Sequence, residues 1–267
     1  MCVFPHIAGA GIKLAKSASK VDLPMCGVWM WDLMTWLFDS LKLVVFRSRE
    51  VECDCCGWQA HSFFLYTIVS QKRAYRTREF CPRCHALERQ RQLVRHLRDK
   101  TPSLSLHAPT ILDIGPSKAV VGWFRNQGSS IVTIDLRPGI AMLTMDVAQL
   151  GFKNDTFDVI VCSHVLEHIP DDLVAMREIL RVMKAGGICV IQVPVQPSLL
   201  ETVEYDKPKP EEHSHLRAYG QDFTSRLNSA GFEVRYAEDE LFEVTKPYPA
   251  ARQLPEENSP QERISYL

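Results

Sequence analysis

Cys53, Cys56, Cys81 and Cys84 form two Cys-x-x-Cys pairs separated by 24 residues. Each pair can place two thiolates about 2.3 Å from one tetrahedral zinc ion, so the four together are a candidate structural Zn2+ site. Five of the nine cysteines fall between Cys53 and Cys84, a distribution that suits a metal site better than a secreted disulfide framework. Cys55 competes with Cys53 and Cys56 for two ligand positions, and reduced thiols without metal are the plainer alternative. Cys2, Cys26, Cys162 and Cys189 read as ordinary apolar cysteines.

A second constellation lies further on. Asp113-Ile-Gly115-Pro116-Ser117 follows an apolar run and opens a helix-like stretch. Gly115 there lets backbone approach a ligand while loop amides face it. Asp135 closes the next apolar run, 22 positions after Asp113, near the spacing of about 20 expected for a carboxylate that binds ribose hydroxyls. A nucleoside cofactor is implied. Residues 194–219 follow a later strand and are too long and polar for a simple connection, which makes them a candidate acceptor loop. His213 and His215 are its base candidates, because histidine titrates near neutral pH. Glu211 and Glu212 beside them read equally well as solvated.

The elements that must position these groups alternate between strand and helix. Residues 110–114, 130–134, 157–162 and 187–193 are short apolar or β-branched runs, and 118–127 and 171–184 between them are helix-like. Residues 221–230 look helical, and 232–236 and 241–245 look like strands. The expected fold class is α/β: a Rossmann-like, doubly wound, mostly parallel sheet with a C-terminal antiparallel hairpin, preceded by a small Cys-rich module. Four regions follow: 1–46 as leader and apolar helix, 47–100 as a basic zinc-ribbon-like module, 109–246 as the α/β domain, and 247–267 as a flexible Pro/Glu-rich tail.

With 267 residues and a net charge of −1, the whole chain is drawn to neither nucleic acid nor anionic membrane. Residues 47–100 depart from that balance, with 12 Lys+Arg against 6 Asp+Glu. The row Arg89, Arg91, Arg95 and Arg98 is read as a solvated helix face before a phosphate track. The N-terminus lacks a secretory signal pattern, so a cytoplasmic protein is expected. Residues 28–46 are apolar but contain Asp32 and Asp39, each costing about 2.5 to 3.5 kcal/mol near a bilayer centre, and are read as a helix that hides on protein or lies at a membrane surface.

On these motifs the chain resembles the class I S-adenosylmethionine-dependent methyltransferases. ILDIGPS at 111–117 resembles their cofactor loop, TIDLRPG at 133–139 the ribose-binding strand end, and LTMDVAQLGFKNDTFDVIVCSHVLEHIPDD at 143–172 the adenine-side turn and active-site strand. RVMKAGG at 181–187 resembles the turn before the fifth strand. The resemblance implies S-adenosylmethionine as cofactor. It puts Gly115, with Asp113, Pro116 and Ser117 of its loop, at the methionine portion, and Asp135 with Leu136 at the ribose. Asp146 and Val147 fall at the adenine, and Ser163 and His164 at the site of methyl transfer, where His164 joins His213 and His215 as a catalytic candidate. The cofactor loop has Ser117 and Ala119 where the family usually has two further glycines.

CPRCHALERQRQL at 81–93 resembles a subgroup in which a zinc-ribbon-like module precedes such a domain. The expected activity is O-methylation of a small-molecule or carbohydrate-type acceptor. Two alternatives stand beside it: an RNA base methyltransferase that grips RNA with the zinc module, and a non-catalytic binding or scaffold module with a degenerate cofactor loop.

Overall fold

A computed structural model of the chain describes residues 22–23, 50–69, 74–100, 109–210, 213–238 and 240–247. The apolar helix at 28–46, Glu211, Glu212 and all but the first residue of the tail lie outside the described residues. Among the described residues no helix is long and apolar enough to cross a membrane. The chain divides into two compact units, one running to Glu88 without the Asp54–Cys56 turn, the other formed by that turn and Arg89–Leu267; each is described by itself.

The first unit is built from short strands. β1 (Asp22–Leu23), β5 (Ala74–Phe80) and β4 (Phe64–Val69) make one antiparallel sheet in that order, and β2 (Val51–Glu52) pairs antiparallel with β3 (Gln59–Ala60). Trp58 packs its ring against Phe63 and Phe64 with centroids 5.9 and 6.0 Å apart.

The second unit is the α/β domain. After α1 (Glu88–Lys100) come β6 (Thr110–Ile114), α2 (Lys118–Asn126), β7 (Ser130–Asp135), β8 (Leu143–Thr144), β9 (Phe157–Ser163), α3 (Asp172–Val182) and β10 (Met183–Gln192). They are followed by β11 (Val203–Lys209), β12 (His215–Ala218), α4 (Phe223–Ala230), β13 (Glu233–Glu238) and β14 (Leu241–Thr245). The sheet order is β13-β14-β10-β9-β6-β7-β8. β10, β9, β6, β7 and β8 run parallel, while β14 and β13 add antiparallel. This is the Rossmann-like sheet with its C-terminal hairpin that the alternating pattern predicts. Ile111, Leu112, Val159, Ile160, Val190 and Ile191 are at most 1% exposed, as continuous apolar runs must be when helices cover both faces of a parallel sheet.

Two helices are capped as their sequences dictate. The Ser117 hydroxyl accepts from the Val120 N–H at the start of α2, and the Asp171 carboxylate accepts from the Val174 N–H at the start of α3. Two regions differ from the sequence expectation. The stretch 194–219 is not open loop throughout: β11 and β12 pair as an antiparallel hairpin of their own. The arginine row on α1 is exposed at Arg89, Arg95 and Arg98, the last two pairing with Asp54 at 2.9 and 3.2 Å, but Arg91 is 1% exposed. Leu93, Val94 and Leu97 turn the same helix toward the core and draw Arg91 in with them.

Asp113, near the end of β6, is 2% exposed and its Oδ2 has no hydrogen-bond partner. Burial raises its carboxyl from the ordinary range to about 7. The folded chain therefore holds a proton there that the unfolded chain has already released, so stability falls as pH rises from about 4 to 7. Asp113→Asn is expected to match the parent near pH 4 and to exceed it in urea unfolding at pH 8, by at most roughly 4 kcal/mol. A gap that does not change with pH would contradict this.

Candidate functional site

Chain order reverses across the sheet at β6: the path runs outward through β7 and β8, then returns to β9 on the other side. Open α/β sheets bind ligands beyond the carboxyl ends of the strands at such a point. A cavity of about 350 Å³ lies there, lined by Gly115 after β6, Asp135, Leu136 and Arg137 after β7, Asp146 and Val147 after β8, and His164 and His168 after β9. Gly115 has φ +69°, and a Cβ on it would meet the Val165 Cγ2 at 2.6 Å. The loop is therefore glycine-dependent in both conformation and space.

Asp135 is held at the cavity wall. Its Oδ1 accepts from the Arg137 N–H at 2.8 Å and from Nε at 3.0 Å, and its Oδ2 accepts from the guanidinium at 2.9 Å. The guanidinium holds the carboxyl below its usual range. The Asp135 side chain is 8% exposed and that of Arg137 75%. A buried acceptor therefore sits under an exposed cation.

Of the residues expected at the cofactor, Gly115, Asp135, Leu136, Asp146, Val147 and His164 line the cavity. Asp113, Pro116, Ser117 and Ser163 stand outside the lining. Asp113 is buried beneath the loop, Ser117 caps α2, and the Ser163 hydroxyl donates to Gln192 Oε1 at 2.9 Å. The Asp146 carboxylate accepts from the Ala148 N–H at 2.8 Å and so shapes its own turn.

The histidines come together on two elements. His164 has φ +55°, and its Nδ1 lies 3.2 Å from Glu167 Oε1. Its Nε2 is buried and has no hydrogen-bond partner. Glu167, fully buried on the short 3-10 turn Leu166–His168, was not singled out by sequence. Its signal is the spacing His164-x-x-Glu167-His168, which stacks three polar groups on one turn at the end of a buried strand. His168 meets His215 edge to face with ring centroids 4.9 Å apart, and His213 lies 6.0 Å from His215. His213 and Ser214 both have positive φ, of 57° and 65°, in the tight turn that leads into β12.

Arg217 fixes this arrangement. It is 2% exposed and donates to the Leu166, Ile169 and Pro170 carbonyls at 2.8, 2.6 and 2.9 Å. Those bonds clamp β12 to the turn that carries Glu167 and His168. Asp172 completes the support, accepting from Arg226 at 2.6 and 2.7 Å and from the Tyr219 hydroxyl at 2.7 Å.

In the Cys module, the sulfur atoms of Cys53, Cys56, Cys81 and Cys84 all lie within 4.8 Å of one another, and those of Cys53 and Cys84 are 3.6 Å apart. A tetrahedral tetrathiolate zinc site, with bonds of about 2.3 Å, needs sulfurs about 3.8 Å apart. Each pair closes in the same turn: the Gly57 N–H donates to the Cys53 carbonyl and the His85 N–H to the Cys81 carbonyl, both at 2.8 Å. The residue after each pair has positive φ, Gly57 at 68° and His85 at 65°. The Cys81 thiol is pushed up by its hydrogen bond with Cys53 and by burial. Cys55 turns away, its sulfur 3.6 Å from the Gln90 carbonyl.

Residues 84–237, more than half of the chain, match the family described as methyltransferase domain. The chain is 39% identical over 54 residues to the demethylmenaquinone methyltransferase of Staphylococcus aureus (strain JH9), a stretch of 20% of this chain and 22% of that protein. It is 31% identical over 65 residues to the highly reducing polyketide synthase otaA of Aspergillus carbonarius, 24% of this chain and 3% of that one. The chain thus spans about a fifth or less of the length of these relatives. Among solved structures it is similar to an S-adenosylmethionine-dependent methyltransferase from Mesorhizobium loti, with a TM-score of 0.45 and 15% identity over 56% of this chain and 95% of that one.

Proposed function

The chain belongs to the methyltransferase-domain family, and from that premise we propose that it is an S-adenosylmethionine-dependent methyltransferase that methylates an oxygen of a small-molecule or carbohydrate-type acceptor. The observation that carries this reading is His164. It lines the cavity, its Nδ1 lies 3.2 Å from Oε1 of the buried Glu167, and its Nε2 has no hydrogen-bond partner.

The residues present fit the cofactor. Gly115 leaves room that a Cβ would fill, Asp135 offers a buried carboxylate for ribose hydroxyls, and Asp146 with Val147 closes the adenine side. S-adenosylmethionine, when bound, supplies an electrophilic methyl group on a sulfonium. The chain's own work is to align the acceptor with that methyl, exclude water, and accept the hydroxyl proton at His164 Nε2. His213 and His215 stand on the neighbouring hairpin, where they bear on the acceptor. Cys53, Cys56, Cys81 and Cys84 would hold one structural Zn2+, a role that requires thiolates and so suits a reducing compartment such as the cytoplasm.

The test is transfer of labelled methyl from S-adenosylmethionine into fractionated small molecules, glycans and RNA by the full chain and by His164→Ala. Label in an oxygen-linked small-molecule or glycan product, lost about 100-fold in His164→Ala, supports the reading. Label in RNA bases overturns the acceptor class. Binding without transfer to any fraction leaves a binding module.

A further inference from the structure

Glu167 poses a question that the methyl-transfer reading leaves open. Its carboxylate is fully buried, Oε1 faces His164, and Oε2 has no partner. A buried carboxylate oxygen without a donor is costly, and a cation relieves that cost. Arg217, which clamps the same turn, directs its guanidinium to three carbonyls and to Glu204. Two imidazoles do stand beside the Glu167 carboxylate: one ligand atom each from Glu167, His168 and His215 lies within 4.8 Å of the others.

We propose that Glu167, His168 and His215 form a second metal site, for a divalent transition cation of the Zn2+ type. Two imidazoles and a carboxylate are a nitrogen and oxygen donor set that zinc accepts with one coordination position left open. The site is built from rigid parts. Glu167 and His168 share one short turn, His215 starts a strand, and Arg217, two residues on, ties strand to turn. Glu167 is also held through Oε1 by His164, the kind of contact that orients a ligating carboxylate. His168 also lines the cavity, so the open position lies beside the proposed place of methyl transfer.

This narrows the chemical class of the acceptor, which rests on the O-methylation reading: a hydroxyl whose oxygen can occupy the one open zinc position while it is methylated. The tetrathiolate site is chemically distinct, with four sulfur donors and no position for a substrate.

The experiment is zinc analysis of the full chain after equilibration with Zn2+ and removal of free metal, without cofactor or acceptor. The parent is compared with His168→Ala, His215→Ala and, as control, His213→Ala. Circular dichroism verifies folding of each. The expected result is one zinc per chain fewer in His168→Ala and in His215→Ala, with His213→Ala equal to the parent. Equal zinc in all four overturns the site. Should His215→Ala fail to fold, the exposed His168 decides alone. S-adenosylmethionine binding and methyl transfer are read on the same preparations. Transfer without the zinc difference removes the metal site only, and the zinc difference without transfer removes the O-methylation reading only.

Discussion

Asp135→Ala weakens S-adenosylmethionine binding at least tenfold, while Arg137→Ala tightens it. The Asp135 carboxylate is fixed at the end of β7 with its side chain 8% exposed, and hydrogen bonds from ribose hydroxyls to a charged acceptor each contribute about 1.5 to 3 kcal/mol. Losing one bond already exceeds the roughly 1.4 kcal/mol that separates tenfold affinities. Both carboxylate oxygens meet the Arg137 side chain first, so ribose must displace a guanidinium whose exposed pairing contributes only about 0 to 1 kcal/mol. Removing that side chain leaves the acceptor open, and affinity rises by a few fold at most. Calorimetry with S-adenosylmethionine on both variants reads the two signs together. Unchanged affinity in Asp135→Ala removes this carboxylate from the site.

Cys81→Ser has the largest structural effect. Cys81 is fully buried and its sulfur lies within 4.8 Å of the other three of the tetrad. If zinc binding is the folding energy of this unit, the variant loses one zinc per chain and residues 50–88 become open to proteolysis, while the α/β domain keeps its core. Metal analysis with limited proteolysis measures both. A variant with the parent's zinc content and protease pattern would show that Cys81 is not a ligand.

The parts of the fold legible in sequence are those where burial leaves one choice. The strands at β6, β7 and β9 are continuous apolar runs between turn residues, and a parallel sheet covered on both faces accepts little else. The hairpin β11–β12 was not legible for the opposite reason. Val203–Lys209 is exposed or half-buried throughout, so no alternation marks it as a strand. β10 begins at Met183, earlier than Gly186 and Gly187 suggest, because Met183 pairs with Phe157 before a register shift ahead of Ile188.

At the site, Asp135 and Gly115 could be read from spacing because a nucleoside-binding turn needs those residue types there. The hold of Arg137 on Asp135 could not, since an arginine two positions after a strand is free to point anywhere until the turn is closed. Glu167 was obscured because a glutamate before a histidine on a helical turn looks solvated, and only the depth of the turn beneath β12 buries it.

The central claim is that the cavity at the ends of β6, β7 and β9 holds S-adenosylmethionine. Calorimetric titration of the full chain tests it most directly. The account predicts one binding site per chain for S-adenosylmethionine, competition by S-adenosylhomocysteine for that site, and at least tenfold weaker binding of both in Asp135→Ala. No heat of binding for either nucleoside in folded, zinc-loaded protein would contradict it.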